Sequence, residues 1–110
     1  VMFNLFPGMG AYNFLARRSS AAVAEKLIMS GRVHTGAELY DMGIVDVLAE
    51  DGEGEEVLLD YVRKNSRRHA AHRAIYQARQ RVNPITLQDL NDITDLWVDT
   101  ALTLGPADLR

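Results

Sequence analysis

The sequence predicts a mainly α-helical chain, and three observations carry that prediction. Apolar residues recur at helical spacing through most of the 110 residues. Residues that favour helix N-termini stand before several of these stretches. Only residues 44–48 are rich in β-branched side chains, and they predict a strand or an extended segment. A lone strand leaves unpaired backbone groups on both sides, so we expect the first half to need strand partners that this chain does not supply.

The first half is predicted to hold a glycine turn and three helices. Residues 1–6 form a short apolar segment that enters a turn over residues 7–10. A short helix follows over residues 11–18. Ser19 and Ser20 can cap a second helix, which Gly31 ends. Thr35 and Glu38 predict a capping box for a short third helix.

The second half is predicted to be helical throughout. Residues 51–54 form an acidic, glycine-containing break, which divides the chain into residues 1–50 and residues 51–110. Helices are expected over 55–68 and 70–81, and Thr86 can cap a last helix that ends at Gly105. These three helices could pack together.

Composition narrows the class of protein. The net charge of -3 does not indicate a nucleic-acid binder. The absence of cysteine excludes a disulfide framework and a cysteine nucleophile, and it is compatible with a cytoplasmic location. No apolar run approaches the roughly 18 residues of a membrane span. We therefore expect a cytoplasmic protein with no membrane span and no nucleic-acid partner.

The glycine turn and the single tryptophan each allow two interpretations. Gly8 and Gly10, on either side of Met9, can bring a helix N-terminus close to an anion or thioester, or can let a helix pack closely. Asn13 stands where a dinucleotide site needs a third glycine, so such a site is poorly supported. Trp97 is either a core residue or the lining of an acyl pocket.

The charged residues are segregated along the second half. Residues 63–81 hold seven of the twelve lysines and arginines. This basic segment can be a solvated face, can hold the phosphates of coenzyme A or phosphopantetheine, or can meet an acidic partner or a neighbouring subunit. The acidic stripe Asp89, Asp92, Asp95 and Asp99 is predicted as a solvated or salt-bridged face. His69 and His72 lack further zinc ligands, so we predict no metal site.

Several motifs, in order, resemble the crotonase (enoyl-CoA hydratase/isomerase) superfamily. They are Pro7-Gly8-Met9-Gly10, Leu27-Ile28-Met29-Ser30-Gly31-Arg32, Ala37-Glu38-Leu39 and Gly43-Ile44-Val45-Asp46-Val47. The amino-acid sequence is similar to that of the diffusible-signal-factor synthases in five stretches. These are Phe3-Asn4-Leu5-Phe6-Pro7-Gly8-Met9-Gly10-Ala11-Tyr12, Phe14-Leu15-Ala16-Arg17-Arg18, Ser66-Arg67-Arg68-His69, Tyr76-Gln77-Ala78-Arg79 and Leu96-Trp97-Val98-Asp99.

The resemblance implies that this chain is the C-terminal helical portion of an α/β crotonase spiral fold whose sheet core lies upstream of Val1. Residues 1–50 would be the edge of that core, and residues 51–110 a helical region that covers the pocket and mediates trimer contacts. Members bind acyl thioesters and use two glutamates and two backbone N–H groups. The second glutamate is expected just before Val1, so no catalytic residue is assigned in this chain, and no cofactor is implied.

By the same resemblance, Gly8, Met9, Gly10 and Trp97 are the predicted substrate-binding residues. The complete protein would dehydrate a 3-hydroxyacyl thioester of coenzyme A or a carrier protein and hydrolyse it to a cis-2-unsaturated fatty acid, a quorum signal. This portion alone is expected to be inactive. The alternative is a non-catalytic helical module that binds the receiver domain of a sensor kinase or a partner subunit. A weaker third possibility, an RNA-binding crotonase-like protein, rests on the basic segment alone.

Overall fold

The computed structural model of the chain describes residues 4–109, so the first three residues of the predicted segment 1–6 lie outside the described part. Within residues 4–109, helices hold 64% of the residues and no strand is present. The prediction of a mainly α chain is therefore confirmed. The strand considered for residues 44–48 is wrong, because the amides of Ile44 and Val45 donate to the carbonyl oxygen of Leu39 and no partner strand lies beside them.

The first half holds three helices: α1 (Ala11–Arg18), α2 (Ala21–Ser30) and α3 (Gly36–Asp41). The Ser20 hydroxyl accepts a hydrogen bond from the Val23 amide at the start of α2, as its position predicts. The α3 capping box is only half formed. The Thr35 hydroxyl accepts from the Glu38 amide, but Arg32 Nη2 holds the Glu38 carboxylate at 2.7 Å.

The α1–α2 hairpin is the best-packed part of the described chain. Ala24 of α2 is fully buried, and it is the one apolar side chain within residues 4–109 that reaches that state. Arg18, at the end of α1, reaches across to the segment after α3. It pairs with the Asp46 carboxylate at 2.5 Å and donates to the Ile44 carbonyl oxygen at 3.3 Å. This contact ties the irregular segment to the hairpin.

The second half holds three longer helices: α4 (Gly54–Asn65), α5 (His69–Val82) and α6 (Leu87–Ala101). One 3-10 turn, Ser66–Arg68, joins α4 to α5, so the first predicted helix ends earlier than expected. The three helices do not pack as a bundle within the described residues, because α4 and α5 meet only around that turn. Instead, α6 lies against the glycine turn of the first half.

The described chain is extended and has little core. Its radius of gyration is 17.6 Å, against about 13 Å for a compact domain of this length. Its accessible surface is 8646 Å², whereas a compact monomer of 12.3 kDa exposes about 6,100 Å². The difference, about 2,500 Å², is surface that folded proteins of this mass normally bury. Many large apolar side chains contribute to it, including Ile75, Val82 and Leu102.

Candidate functional site

An apolar groove of about 500 Å³ lies between the α1–α2 hairpin and α6. This volume falls within the range of roughly 300–1,000 Å³ that is usual for small-molecule sites. The exposed surface of its lining is almost wholly apolar. The lining residues come from the segment before the glycine turn and from three helices. The lining residues are Phe6, Tyr12, Glu25, Ile28, Met29, Ile93 and Leu96. The groove is therefore suited to a long apolar group.

Helical spacing explains why these side chains converge. Glu25, Ile28 and Met29 stand at i, i+3 and i+4 on α2, so they share one face of that helix. Ile93 and Leu96 are three residues apart on α6 and share a face in the same way. The groove forms where these two faces meet.

The glycine turn sets the distance between the hairpin and α6. Gly8 is buried directly against the Trp97 side chain. A Cβ atom at Gly8 would lie 2.5 Å from Trp97 Cβ and still closer to two atoms of the indole ring. The Thr94 hydroxyl lies 3.2 Å from the Gly8 carbonyl oxygen and 2.9 Å from the Leu90 carbonyl oxygen, so both share its proton. Only a residue without a side chain fits at this point.

Gly10 has a different structural role in the same turn. Its φ of 89° lies in the left-handed region, which L side chains rarely adopt. Its carbonyl oxygen accepts from the Phe14 amide, so it begins α1 as the N-cap. A Cβ here would also stand 3.0 Å from the Leu90 side chain of α6. The turn is thus fixed to α6 at both glycines.

The four predicted substrate-binding residues are partly brought together. Gly8, Gly10 and Trp97 meet at the contact between the turn and α6, whereas the Met9 side chain is 96% exposed. None of the four lines the apolar groove. Residues close to them in the sequence, such as Phe6 and Leu96, line it instead. The sequence allowed the glycine turn either to approach a ligand or to let a helix pack closely, and the contacts of Gly8 and Gly10 with α6 show close packing.

Sequence reasoning missed the polar pair in the groove wall, Tyr12 and Glu25. The Tyr12 side chain faces Glu25 across the hairpin, and both residues line the groove. Partial desolvation of the phenol raises the pKa of Tyr12, and the charge and hydrogen bond of Glu25 raise it further. The spacing of Glu25 with Ile28 and Met29 was visible in the sequence, but its pairing with Tyr12 depends on how α1 and α2 cross.

A second concavity occupies the elbow between α4 and α5. It has a volume of about 310 Å³, and its lining is mainly aromatic and polar: Tyr61, Val62, Asn65, Ser66, His69, His72 and Tyr76. The guanidinium of Arg79 stacks over the Tyr76 ring at 5.3 Å. Within residues 4–109, no group of three His, Asp or Glu side chains is placed to hold a metal ion. The histidine pair lines this concavity beside tyrosine, asparagine and serine side chains.

The charged segments stay largely uncompensated. In the described part of the chain, Lys64 is the one cation of the basic segment in an ion pair, with Asp60 at 2.9 Å. On α6, Asp89 completes a capping box with Thr86, and these hydrogen bonds lower the pKa of Asp89. The other three aspartates of the stripe are exposed. Among residues 4–109, no helix has the length and apolar character needed to cross a membrane.

No protein-family model matches this chain, and neither does any curated protein.

Proposed function

We propose that this chain is the C-terminal helical part of a cytoplasmic crotonase-superfamily acyl-thioester enzyme, similar to the diffusible-signal-factor synthases. The observation that supports the proposal best is the apolar groove, with its volume of about 500 Å³. It is built by the elements that carry the quoted family motifs, since the glycine turn leads into α1 and Trp97 lies on α6. An almost wholly carbon lining suits an acyl chain better than a polar substrate.

In this proposal the groove binds the acyl chain of a 3-hydroxyacyl thioester. Each methylene group removed from water contributes about 0.8 kcal/mol, so an apolar groove of this volume favours medium or long chains. The contact between Gly8 and Trp97 keeps the hairpin at a fixed distance from α6 and so sets the width of the groove. Tyr12 and Glu25 place two neighbouring polar groups in an otherwise apolar wall.

The chemistry itself is proposed for residues outside this chain. The complete enzyme would remove water from the 3-hydroxyacyl thioester to give the 2-enoyl thioester. Water would then attack the thioester carbonyl, releasing the thiol and the free cis-2-unsaturated acid. Two glutamates and a pair of backbone N–H groups would carry these steps, as the family resemblance implies. The isolated chain is accordingly expected to bind acyl groups without turning them over.

Binding by the 110-residue chain tests the groove directly. We expect cis-parinaric acid, a fluorescent fatty acid, to gain fluorescence on binding, and Ile93→Glu to abolish that gain by placing a carboxylate in the apolar wall. Leu87→Glu is the matched control, because Leu87 lies on the same helix, is 74% exposed and is outside the groove. Equal binding by wild type and Ile93→Glu would refute the assignment of the groove.

Turnover tests the enzymatic part in the intact polypeptide that carries this chain. Release of free acid from a series of 3-hydroxyacyl-CoA and carrier-protein thioesters is followed by mass spectrometry. We expect Ile93→Glu to raise KM most for the longest chains, because those chains bury the most methylene groups in the groove. A protein that binds these thioesters without converting any of them would refute the enzymatic proposal.

A second candidate is a non-catalytic helical module that binds a sensor-kinase receiver domain or a partner subunit. Exposed apolar side chains on α4 and α5, beside the basic segment, favour it: Leu58, Leu59, Val62, Ile75 and Tyr76. Aromatic side chains and arginine are enriched at protein interfaces. Binding of a receiver domain in the absence of thioester turnover would favour this candidate over the enzyme.

A further inference from the structure

A pocket of about 370 Å³ lies beside α2, where the chain leaves that helix and runs towards α3. All of its lining residues come from one continuous segment, residues 23–42. Lys26, Arg32 and His34 share the lining with a serine and three apolar residues, so it is here called the cationic pocket. None of its residues lines the apolar groove, although both concavities use α2. The cationic pocket is therefore a separate site.

Local structure brings an apolar helix face and the cations of a loop together. Four lining residues stand at i, i+3, i+4 and i+7 of α2 and so share one face: Val23, Lys26, Leu27 and Ser30. Gly31 ends α2 in the left-handed conformation, with a φ of 64°. The chain that follows it places Arg32 and His34 in the same pocket. Positive charge thus lies beside an apolar surface.

The pocket has one positive charge more than its surroundings offset. Arg32 is paired, since its Nη2 atom lies 2.7 Å from the Glu38 carboxylate. That hydrogen bond lowers the pKa of Glu38, so the carboxylate is ionised at neutral pH and offsets Arg32. Lys26 has no ion-pair partner among residues 4–109, and no acid lines the pocket. A ligand with a single negative charge therefore balances the charge of the pocket.

His34 contributes a hydrogen-bonding group that the described chain leaves unmatched. Its side chain is half-buried, and its Nδ1 atom is buried without a hydrogen-bond partner among residues 4–109. Most buried polar atoms in folded proteins have a partner, so this nitrogen points to a group that the chain itself does not supply. A carboxylate offers only acceptor atoms, which suit an imidazole N–H as well as the donors of Lys26 and Arg32.

We infer that the cationic pocket binds a small monocarboxylate with an apolar body, such as a short-chain fatty acid. The carboxylate meets Lys26 and the N–H groups of Arg32 that Glu38 leaves unused, since a guanidinium has five donors. The hydrocarbon part lies on the apolar residues of the lining, among them the half-buried Val23 and Leu27. Inorganic phosphate has no such part and carries more charge than the pocket balances. The inference does not depend on the proposed chemistry.

Titration of the 110-residue chain with hexanoate, followed by NMR amide shifts, tests the site. We expect saturable shifts concentrated in residues 23–42. Hexanoate should bind at least tenfold more tightly than acetate, because each buried methylene group improves affinity by up to about fourfold. Hexanol lacks the charge and phosphate lacks the apolar body, so each should bind at least tenfold more weakly than hexanoate. Equal binding of hexanol or of phosphate would overturn the inference.

Two substitutions should change the affinity for hexanoate in opposite directions. Lys26→Gln should weaken binding at least fivefold, whereas Lys64→Gln, with the same change of net charge outside the pocket, should bind as wild type. Glu38→Gln should tighten binding, because it frees Arg32 from a competing carboxylate. Glu50→Gln, exposed and outside the pocket, is its control. Circular dichroism checks that each variant is folded. Folded variants that all bind as wild type would refute the pocket.

The groove variant distinguishes this site from the proposed acyl site. Ile93→Glu places a carboxylate in the groove wall and leaves every residue of the cationic pocket in place. Hexanoate should therefore bind to it as to wild type, with the same shifts in residues 23–42. Loss of hexanoate binding in this variant would show that hexanoate occupies the groove and would overturn the inference. Intact binding at the pocket without thioester turnover by the intact polypeptide would count against the proposed function alone.

Discussion

Replacing Gly8 by alanine tests whether the contact between the glycine turn and α6 holds the two halves of the chain together. The new methyl group would stand 2.5 Å from Trp97 Cβ and closer still to the indole ring. Overpacking of this kind costs about 1–3 kcal/mol. Moving the turn away would also break the hydrogen bond from Thr94, a loss of about 0.5–1.5 kcal/mol. We expect the free energy of unfolding to fall by about 2–4 kcal/mol in total.

The assay uses Trp97, the single tryptophan, as its own reporter. Urea unfolding followed by tryptophan fluorescence should show a lower midpoint for Gly8→Ala and a native spectrum shifted towards that of exposed indole. Gly54→Ala is the matched control, because a Cβ there meets nothing within 4 Å and Gly54 begins a helix. That variant should be as stable as wild type or slightly more stable.

A double-mutant cycle separates the clash from other effects of alanine. In a Trp97→Ala background, Gly8→Ala should cost much less, because the ring that obstructs the methyl group is gone. Circular dichroism follows unfolding where the tryptophan is absent. An unchanged urea midpoint and fluorescence spectrum for Gly8→Ala, or additive costs in the cycle, would refute the packing argument.

Three further predictions concern polar contacts. Arg18→Ala should lower stability by no more than about 1 kcal/mol, since its pair with Asp46 is largely exposed, and hydrogen exchange should rise around Asp46. A cost above about 2 kcal/mol would contradict that view. Because the pKa of Asp89 is lowered in the folded chain, the stability that its carboxylate contributes is present above the pKa of the unfolded state and is lost as the pH falls through the pKa of the folded state. Helix content should therefore decline less in acid for Asp89→Asn than for wild type. Glu25→Gln should lower the raised pKa of Tyr12, as measured by tyrosinate absorbance in alkaline titration, and an unchanged value would leave desolvation as the only cause.

The glycine turn shows how far sequence reasoning reaches in this protein. Two glycines before a helix predict a turn that departs from ordinary backbone or approaches another group closely. Gly10 takes the first role through its left-handed φ, and Gly8 takes the second through its contact with Trp97. That Trp97 is the group approached cannot be read from the sequence, because the two residues are far apart in the chain.

The helix ends show the same limit at shorter range. The caps at Ser20 and Thr86 are confirmed, since each hydroxyl accepts from an amide three residues along. The box at Thr35 is incomplete, because Arg32 competes for the Glu38 carboxylate. Sequence spacing states which bonds are possible, whereas the position of a rival cation decides which of them form.

The sequence by itself determined the local structure, namely the helices, their principal caps, the glycine turn and the segregation of charge along the chain. These properties depend on residues within about four positions of one another, where backbone geometry fixes the neighbours. Only the tertiary structure decided that α6 lies on the turn, that Tyr12 meets Glu25 and that the groove opens between them. Such contacts depend on how separate helices cross, and helical periodicity specifies the face that each helix offers without specifying what packs against it.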